Sequence, residues 1–327
     1  MRAGRVGHAA VLLDDGRVLV AGGVGALGPK GAPIASCEIF EPSTGLWHVA
    51  TRLVQPRQDL ALARLTDGRV LALGGRLVDR MPLATVEAWD PRVDRWERLA
   101  DLPEAVYGAA VARLDDSRAL VIGGFSSAGP SRIAWWLDLR TAALSPAPPP
   151  HEEHGYHAIA VTPRDEVVVS GLATEVLRGD QWLRLSRQRG GADAVAAEVL
   201  ADGSLMVSGG RHIDNERARA DTTIWPPGFD EPIDITFERD PRWGHTLARL
   251  HAGRIVAVGG LTDGSRFADT WEVFEPNERR WRAVPTLVES RWHHVQVALN
   301  DGSFLIAGGA RLVGAGDASP SASRLAA

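Results

Sequence analysis

The chain has 327 residues, of which 45% are apolar and 24% charged, and its formal net charge is −5. This composition is typical of a folded domain, and its acidic balance argues against a broad nucleic-acid surface. No apolar run approaches the roughly 18 to 20 residues that a membrane helix requires, and the single cysteine, Cys37, excludes an internal disulfide framework. We therefore predict no nucleic-acid partner and no membrane span.

A short apolar run followed by a glycine pair recurs along the chain. The pairs are Gly22-Gly23, Gly74-Gly75, Gly123-Gly124, Gly209-Gly210, Gly259-Gly260 and Gly308-Gly309, with a degraded copy at Ser170-Gly171. The steps between second glycines are 52, 49, 47, 39, 50 and 49 residues. Self-similarity at a period of about fifty residues indicates a repeat architecture.

Each unit begins with two predicted strands joined by a tight turn. The first strand is made of small and aliphatic residues, as in residues 9–13, which suits a crowded position near a central axis. The second is nearly continuously apolar, as in residues 18–21, which indicates burial on both faces. Four of the turns are Asp-Gly, as in Asp15-Gly16, and we expect positive φ at both of their central residues.

A variable loop and two further strands complete the unit. The third strand ends in an acidic-Pro turn, and five residues after each proline stands a tryptophan that begins the outer strand. These tryptophans are Trp47, Trp96 and Trp281. We expect each ring to cover the gap between adjacent units.

An arginine and a histidine also recur, 18 and 15 residues before the second glycine. The arginines are Arg5, Arg57, Arg242 and Arg291, and His154 occupies the arginine position of the degraded copy. With units of the form Arg-x-x-His…Asp-Gly-Arg-Val-Leu-Val-x-Gly-Gly, the chain resembles a kelch-repeat β-propeller of the galactose oxidase/kelch superfamily, in a bacterial subtype.

The resemblance implies an all-β fold in one propeller domain over residues 1–327. Seven blades are expected, the last of them incomplete, and six blades are the alternative. The tail from Ser319 partly repeats the third strand of the first blade. The approximate blade boundaries are 1–52, 53–102, 103–150, 151–188, 189–238, 239–290 and 291–327.

Topology predicts which face binds a partner. The tight turns share one face, whereas the loops after the glycines and the segments before the first strands share the other, and variable loops on a rigid scaffold usually carry binding. The resemblance implies that residues at the start of the first strands line a central peptide-binding cavity. Those positions hold Arg5, Arg57, Arg242, Arg291, Trp243 and Trp292.

Two further residues complete the predicted binding set. Tyr107 is an aromatic residue that does not recur in every blade, and His154 lies in the densest titratable cluster, residues 151–157. Arginine recognises carboxylates in a bidentate manner, and aromatic rings supply contact area. A residue type that recurs in each blade also suits an inter-blade hydrogen-bonding role, and for the arginines and histidines this alternative stays open.

The sequence offers little catalytic chemistry. The spacing of His151 and His154 matches no zinc-protease signature, which favours a solvated loop with a structural histidine. Copper oxidases of the superfamily use a tyrosine crosslinked to a cysteine, a second tyrosine and two histidines. The only tyrosines of this chain are Tyr107 and Tyr156, and its only cysteine is Cys37. We predict no catalytic residue, metal or cofactor.

The resulting hypothesis is a non-enzymatic binding module that holds a protein or acidic peptide on its loop face. A carbohydrate-binding or carbohydrate-acting propeller, with Trp243 and Trp292 stacked on sugar faces, is the alternative, and a purely structural role is a third reading. Localisation stays open: the chain as given indicates the cytoplasm, and an upstream signal segment would indicate export.

Overall fold

Seven antiparallel sheets form a ring around a central axis. The computed structural model describes residues 1–25, 31–185, 192–250, 253–268, 270–284, 289–310 and 318–325. In each sheet the strands follow chain order from the axis outward. The first strand of each blade contacts those of its two neighbours, and the first strand of blade 7 contacts that of blade 1, so the ring is closed. The predicted all-β, seven-bladed propeller is confirmed.

The two inner strands of every blade are short and regular. The first strands are Ala9–Leu12, Ala61–Arg64, Ala110–Arg113, Ala158–Val161, Ala196–Val199, Thr246–Arg249 and Val295–Ala298. The second strands are Val18–Ala21, Val70–Leu73, Arg118–Ile122, Val167–Ser170, Leu205–Ser208, Ile255–Val258 and Phe304–Ala307.

The outer strands complete the blades. The third strands are Cys37–Glu41, Val86–Asp90, Ala134–Asp138, Thr174–Arg178, Asp221–Trp225, Trp271–Glu275 and Ala322–Leu325. The fourth strands are Leu46–Ala50, Arg95–Arg98, Leu144–Pro146, Gln181–Arg184, Ile233–Thr236 and Arg280–Val284. In the described part of the chain, blade 7 has three strands, and its third strand comes from the tail, as the sequence similarity predicts.

Small elements decorate the loop face. Three pairs of two-residue strands are Arg5–Val6 with Val24–Gly25, Phe125–Ser126 with Gly129–Pro130, and Ala192–Asp193 with Arg211–His212. Away from the segments that the structure leaves undescribed, 3₁₀ turns cover Val78–Arg80 and Asp263–Ser265.

The hydrophobic core lies between the blades. One cluster, for example, joins Leu19 and Cys37 of blade 1 to Val70 and Trp89 of blade 2. Tryptophans of the fourth strands close these seams, as expected: the indole N–H of Trp96 donates to the carbonyl oxygen of Thr51 in the preceding blade at 3.0 Å. Burial of continuous apolar strands on both faces therefore holds neighbouring blades together.

The Asp-Gly turns differ from the prediction. Gly16 has a φ of 85°, whereas Asp15 keeps a negative φ. The N–H of Gly16 donates to the Leu13 carbonyl oxygen, and the N–H of Leu13 donates to that of Arg17, which is a type I turn closed by a left-handed glycine. The Asp15 carboxylate accepts the N–H of Arg17 at 3.0 Å, so aspartate is favoured here as an acceptor and not for a positive φ.

The glycine pairs are required by close contacts, those of the first glycine with the next blade and those of the second within its own blade. A Cβ on Gly308 would lie 2.3 Å from the His8 ring of blade 1, and a Cβ on Gly309 would lie 2.7 Å from the Trp292 carbonyl oxygen. The N–H of Gly309 donates to the Arg5 carbonyl oxygen at 2.9 Å. The recurring histidine therefore packs on the first glycine of the preceding blade, which explains why both recur together.

Candidate functional site

A cavity of about 440 Å³ opens at the axis on the loop face. Six blades contribute to its wall. The lining residues are Val6, Gly7, Val24, Gln58, Asp59, Arg76, Arg80, Tyr156, Asp193, Ala194, Arg211, Trp243, Trp292, His293 and Ala310. Its position and volume suit a ligand or a few side chains of a partner. We call it the central pocket.

The residues predicted from sequence divide into three groups. Trp243 and Trp292 line the central pocket, with their ring centroids 5.7 Å apart. Tyr107 is buried behind the wall, where its ring stacks on Phe125. The four arginines and His154 are fully buried and do not line this pocket.

The buried arginines fix the loops around the pocket. Arg57 Nη2 lies 2.5 Å from the Glu87 carboxylate, and Arg57 Nη1 donates to the carbonyl oxygens of Gly74 and Thr85 at 2.7 and 2.8 Å. Arg5 and Arg242 make the same ion pair, with Glu38 at 2.7 Å and Glu272 at 2.8 Å. A buried guanidinium requires such partners. The role is one of internal hydrogen bonding, but the partners lie within the arginine's own blade and not between blades as the sequence alternative had it.

The partner glutamate has a second set of contacts. Glu87 also accepts the backbone N–H groups of Val54 at 2.6 Å and Gln55 at 3.0 Å. Glu38 and Glu272 likewise each accept two backbone N–H groups from the segment before the first strand. Each ion pair therefore ties the segment that enters the first strand to the third strand of the same blade.

Blade 4 carries a histidine version of this arrangement. His154 Nε2 lies 3.0 Å from one Glu175 oxygen, and His151 Nδ1 lies 2.7 Å from the other. Burial raises the pKa of Glu175, but hydrogen bonds from His154 and His151 outweigh it and hold that pKa below its ordinary value. Among the described residues, no group of three or more His, Cys, Asp and Glu side chains is placed to hold a metal ion.

A ring of left-handed residues surrounds the axis, and the sequence analysis missed it. The second residue after the arginine position has a φ between 44° and 65° in every blade; these residues are Gly7, Asp59, Gly108, Tyr156, Ala194, Gly244 and His293. Four of them are not glycine, and all four line the central pocket. A left-handed non-glycine residue costs of order 1 kcal/mol, and such residues cluster at functional sites.

Two matching arginine units stand on the pocket wall. Arg76 Nε lies 2.5 Å from Asp59 Oδ2, and its guanidinium lies over the Tyr107 ring at 5.2 Å. Three blades further on, Arg211 donates to both oxygens of Asp193 at 3.1 and 2.7 Å and lies 4.9 Å from the Trp243 ring centroid. Each cation is held in place by a carboxylate and an aromatic face.

Arg80 gives the central pocket an additional positive charge. It is exposed, has a φ of 59°, and within the described residues makes no ion pair. The lining thus holds two carboxylates, Asp59 and Asp193, each already paired with an arginine, and one further guanidinium. The pocket therefore has a positive balance that an anionic group would neutralise.

Aromatic rings run in an unbroken series across the pocket. Consecutive ring centroids are 5.2, 4.7, 6.4, 4.1 and 5.7 Å apart along Tyr107, Phe125, Tyr156, His293, Trp292 and Trp243. Burial lowers the pKa of His293, which keeps its ring neutral near pH 7, and burial raises the pKa of Tyr156. Four of these residues line the pocket as an uncharged aromatic band, and the full series has an arginine unit at each end; the four are Tyr156, His293, Trp292 and Trp243.

The radial sheets and the central pocket define a β-propeller. Residues 62–103 match the family model of the Kelch motif, a stretch that runs from the first strand of blade 2 to just beyond its fourth strand. This motif match and the seven-bladed arrangement together support a kelch-repeat propeller, a fold that commonly serves as a scaffold for protein interactions. No curated protein matches the chain. In the part of the chain that the structure describes, no helix is long and apolar enough to cross a membrane.

Proposed function

We propose that the protein is a binding module whose central pocket holds an acidic, aromatic-containing peptide segment of a protein partner. The observation that carries the proposal is the lone guanidinium of Arg80 beside the aromatic band. Arginine forms short, charge-assisted hydrogen bonds with a carboxylate. The ring of Trp243 or Trp292 adds apolar contact beside it.

Pre-organisation of the wall supports the same proposal. Arg76 and Arg211 are each fixed by an aspartate and an aromatic ring, so their guanidinium groups lose little freedom when a ligand binds. Three exposed apolar residues, Val78, Met81 and Ile213, lie on the loops of the same face. Exposed apolar side chains around a polar pocket favour a protein partner over a small soluble anion.

The experiment is selection of displayed random peptides on the purified protein, followed by fluorescence anisotropy with the enriched sequences. We expect enrichment of peptides that combine Asp or Glu with an aromatic residue. Trp243→Ala and Arg80→Ala should each weaken binding by about tenfold or more, the loss typical of an interface hot spot. Arg80→Ala should leave the melting temperature unchanged because that side chain is exposed, whereas Trp243→Ala removes a half-buried ring and is therefore compared with a half-buried control.

Trp136→Ala provides a matched control. Trp136 is also half-buried and also lies under an arginine, with Arg118 5.0 Å from its ring, but it does not line the central pocket. Equal losses in the Trp136 and Trp243 variants would contradict the proposal. Binding to a glycan array that Trp243→Ala abolishes, without any peptide enrichment, would instead favour a carbohydrate ligand.

A further inference from the structure

We infer that the bound peptide leaves the central pocket through a cleft between the loops of blades 5 and 6, so that the partner binds as an extended segment that exits on this side of the pocket. This inference rests on the proposed function and deepens it. It predicts recognition beyond the few residues that the central pocket can hold.

The cleft is a second space that shares a wall with the central pocket. It has a volume of about 340 Å³. Arg211 and Trp243 line both spaces. A chain anchored beside Trp243 therefore has a continuous path outward across the paired faces of these two side chains. The other lining residues are Asn215, Glu216, Arg217, Thr262, Asp263 and Gly264.

The shared wall is rigid. Two hydrogen bonds to Asp193 and the Trp243 ring beneath it fix the Arg211 guanidinium. On blade 5, residues 211–218 form a hairpin in which the N–H of His212 donates to the Arg217 carbonyl oxygen at 2.9 Å. The cleft is thus preformed on this side, which lowers the entropy cost of binding.

The two sides of the cleft are joined at its base. The N–H of Ala218 in blade 5 donates to the Asp263 carboxylate of blade 6 at 2.7 Å, and Arg217 Nε lies 3.5 Å from the same carboxylate. On blade 6, the N–H of Thr262 donates to the Arg266 carbonyl oxygen at 2.7 Å. These contacts set the distance between the loops without filling the space between them.

The lining suits a polypeptide main chain. Apart from the Trp243 ring, it consists of amide, hydroxyl, carboxylate and guanidinium groups, and its two acidic side chains balance its two arginines. A main chain presents alternating N–H and C=O groups every ~3.3 Å, and both need polar partners. A lipid chain would leave these polar groups unpaired, and a polyanion would find no net positive charge.

The difference between the two arginine units indicates on which side of the pocket the peptide leaves. At the unit between blades 2 and 3, the Phe125 ring stacks on Tyr107 at 5.2 Å, and Tyr107 is buried. At the unit between blades 5 and 6, Trp243 is half-buried and lines the cleft. The equivalent aromatic face is therefore covered on one side of the pocket and accessible on the other.

The test uses the peptides enriched on the wild-type protein, in full length and trimmed to the shortest acidic-aromatic fragment that still binds. Asn215→Trp and Arg217→Trp each place a bulky ring at the mouth of the cleft. Asn277→Trp, on an exposed turn of the opposite face, is the matched control. We expect the two cleft variants to weaken the full-length peptides by about tenfold and to leave the short fragment unchanged. A benzophenone residue at the trimmed end should crosslink within residues 211–218.

The outcomes separate this inference from the proposed function. Unchanged binding of full-length peptides in both cleft variants, or equal losses in Asn277→Trp, would overturn the cleft route while leaving the central pocket intact. Equal weakening of the short fragment would also overturn it, since the tryptophan would then be blocking the central pocket. Peptide binding that survives Trp243→Ala together with Trp292→Ala would overturn the proposed function itself.

Discussion

Replacement of Arg57 by methionine should destabilise the protein more than it changes binding. The substitution roughly conserves volume but removes a buried cation that contacts Glu87 at 2.5 Å and two carbonyl oxygens at 2.7 and 2.8 Å. Glu87 would stay buried as a carboxylate with only its two backbone donors. Breaking a buried ion pair on one side typically costs about 3–5 kcal/mol, which is a large part of the stability of a single domain.

The assay is urea-induced unfolding followed by the fluorescence of the 11 tryptophans. Arg80→Met is the matched control, because it removes an exposed arginine and should change the free energy of unfolding by no more than about 0.5 kcal/mol. Adding Glu87→Met to Arg57→Met should recover part of the loss. It cannot recover all of it, because the N–H groups of Val54 and Gln55 lose their acceptor.

The reasoning would be refuted if the two variants exchanged their effects on stability and on peptide binding. If Arg57→Met unfolded at the wild-type urea concentration and abolished peptide binding, the arginine would contact the ligand and its assignment to the scaffold would be wrong. If Arg80→Met lowered stability by several kcal/mol, its place on the pocket surface would be wrong.

Three further predictions test the packing between blades and the strained ring. Gly308→Ala should cost about 2 kcal/mol or more beyond Gly45→Ala in urea unfolding, because its Cβ would meet His8 at 2.3 Å whereas nothing lies within 4 Å of a Cβ on Gly45; equal costs would refute the contact. Burial lowers the pKa of His8 from 6.5 to about 3, so only the unfolded chain binds the proton in that interval and stability falls as pH drops. His8→Gln should therefore reduce the pH dependence of the unfolding free energy by up to about 1.4 kcal/mol per pH unit, and an unchanged slope between about pH 4 and 6 would contradict this. Ala194→Gly should raise the free energy of unfolding by about 0.5–1 kcal/mol, because the φ of 51° suits glycine; a loss of stability would show that the position is unstrained.

Repeated positions made the fold predictable from the sequence. Gly308 and its equivalents recur because a Cβ at each position would meet the backbone carbonyl oxygen at the arginine position of the next blade, so the same physical requirement recurs along the chain. The tryptophan of the outer strand recurs for the same reason. The turn type was predicted wrongly at Asp15 because Asp-Gly satisfies two different turns, and only the backbone hydrogen bonds distinguish them.

The site was less predictable because it lies where the repeats differ. Arg57 was recognisable in the sequence as a recurring charged residue. Its partner Glu87 lies 30 residues away across a loop of variable length, so the sequence alone did not predict the ion pair. The informative signal was the second residue after each arginine, which is glycine in three blades and Asp59, Tyr156, Ala194 or His293 in the others. Variation at a position held in one backbone conformation marks the pocket wall.

Closure of the ring determines how the protein unfolds. The amide of Gly309 is bonded to the Arg5 carbonyl oxygen at 2.9 Å, the same length as the Gly260 to Arg291 bond at an interior seam. No blade is then a loose terminal unit from which melting can spread, in contrast to an open solenoid of stacked repeats. Amide protons at all of these seams should exchange with similar protection, because cooperative unfolding has to break two seams at once to release any single blade.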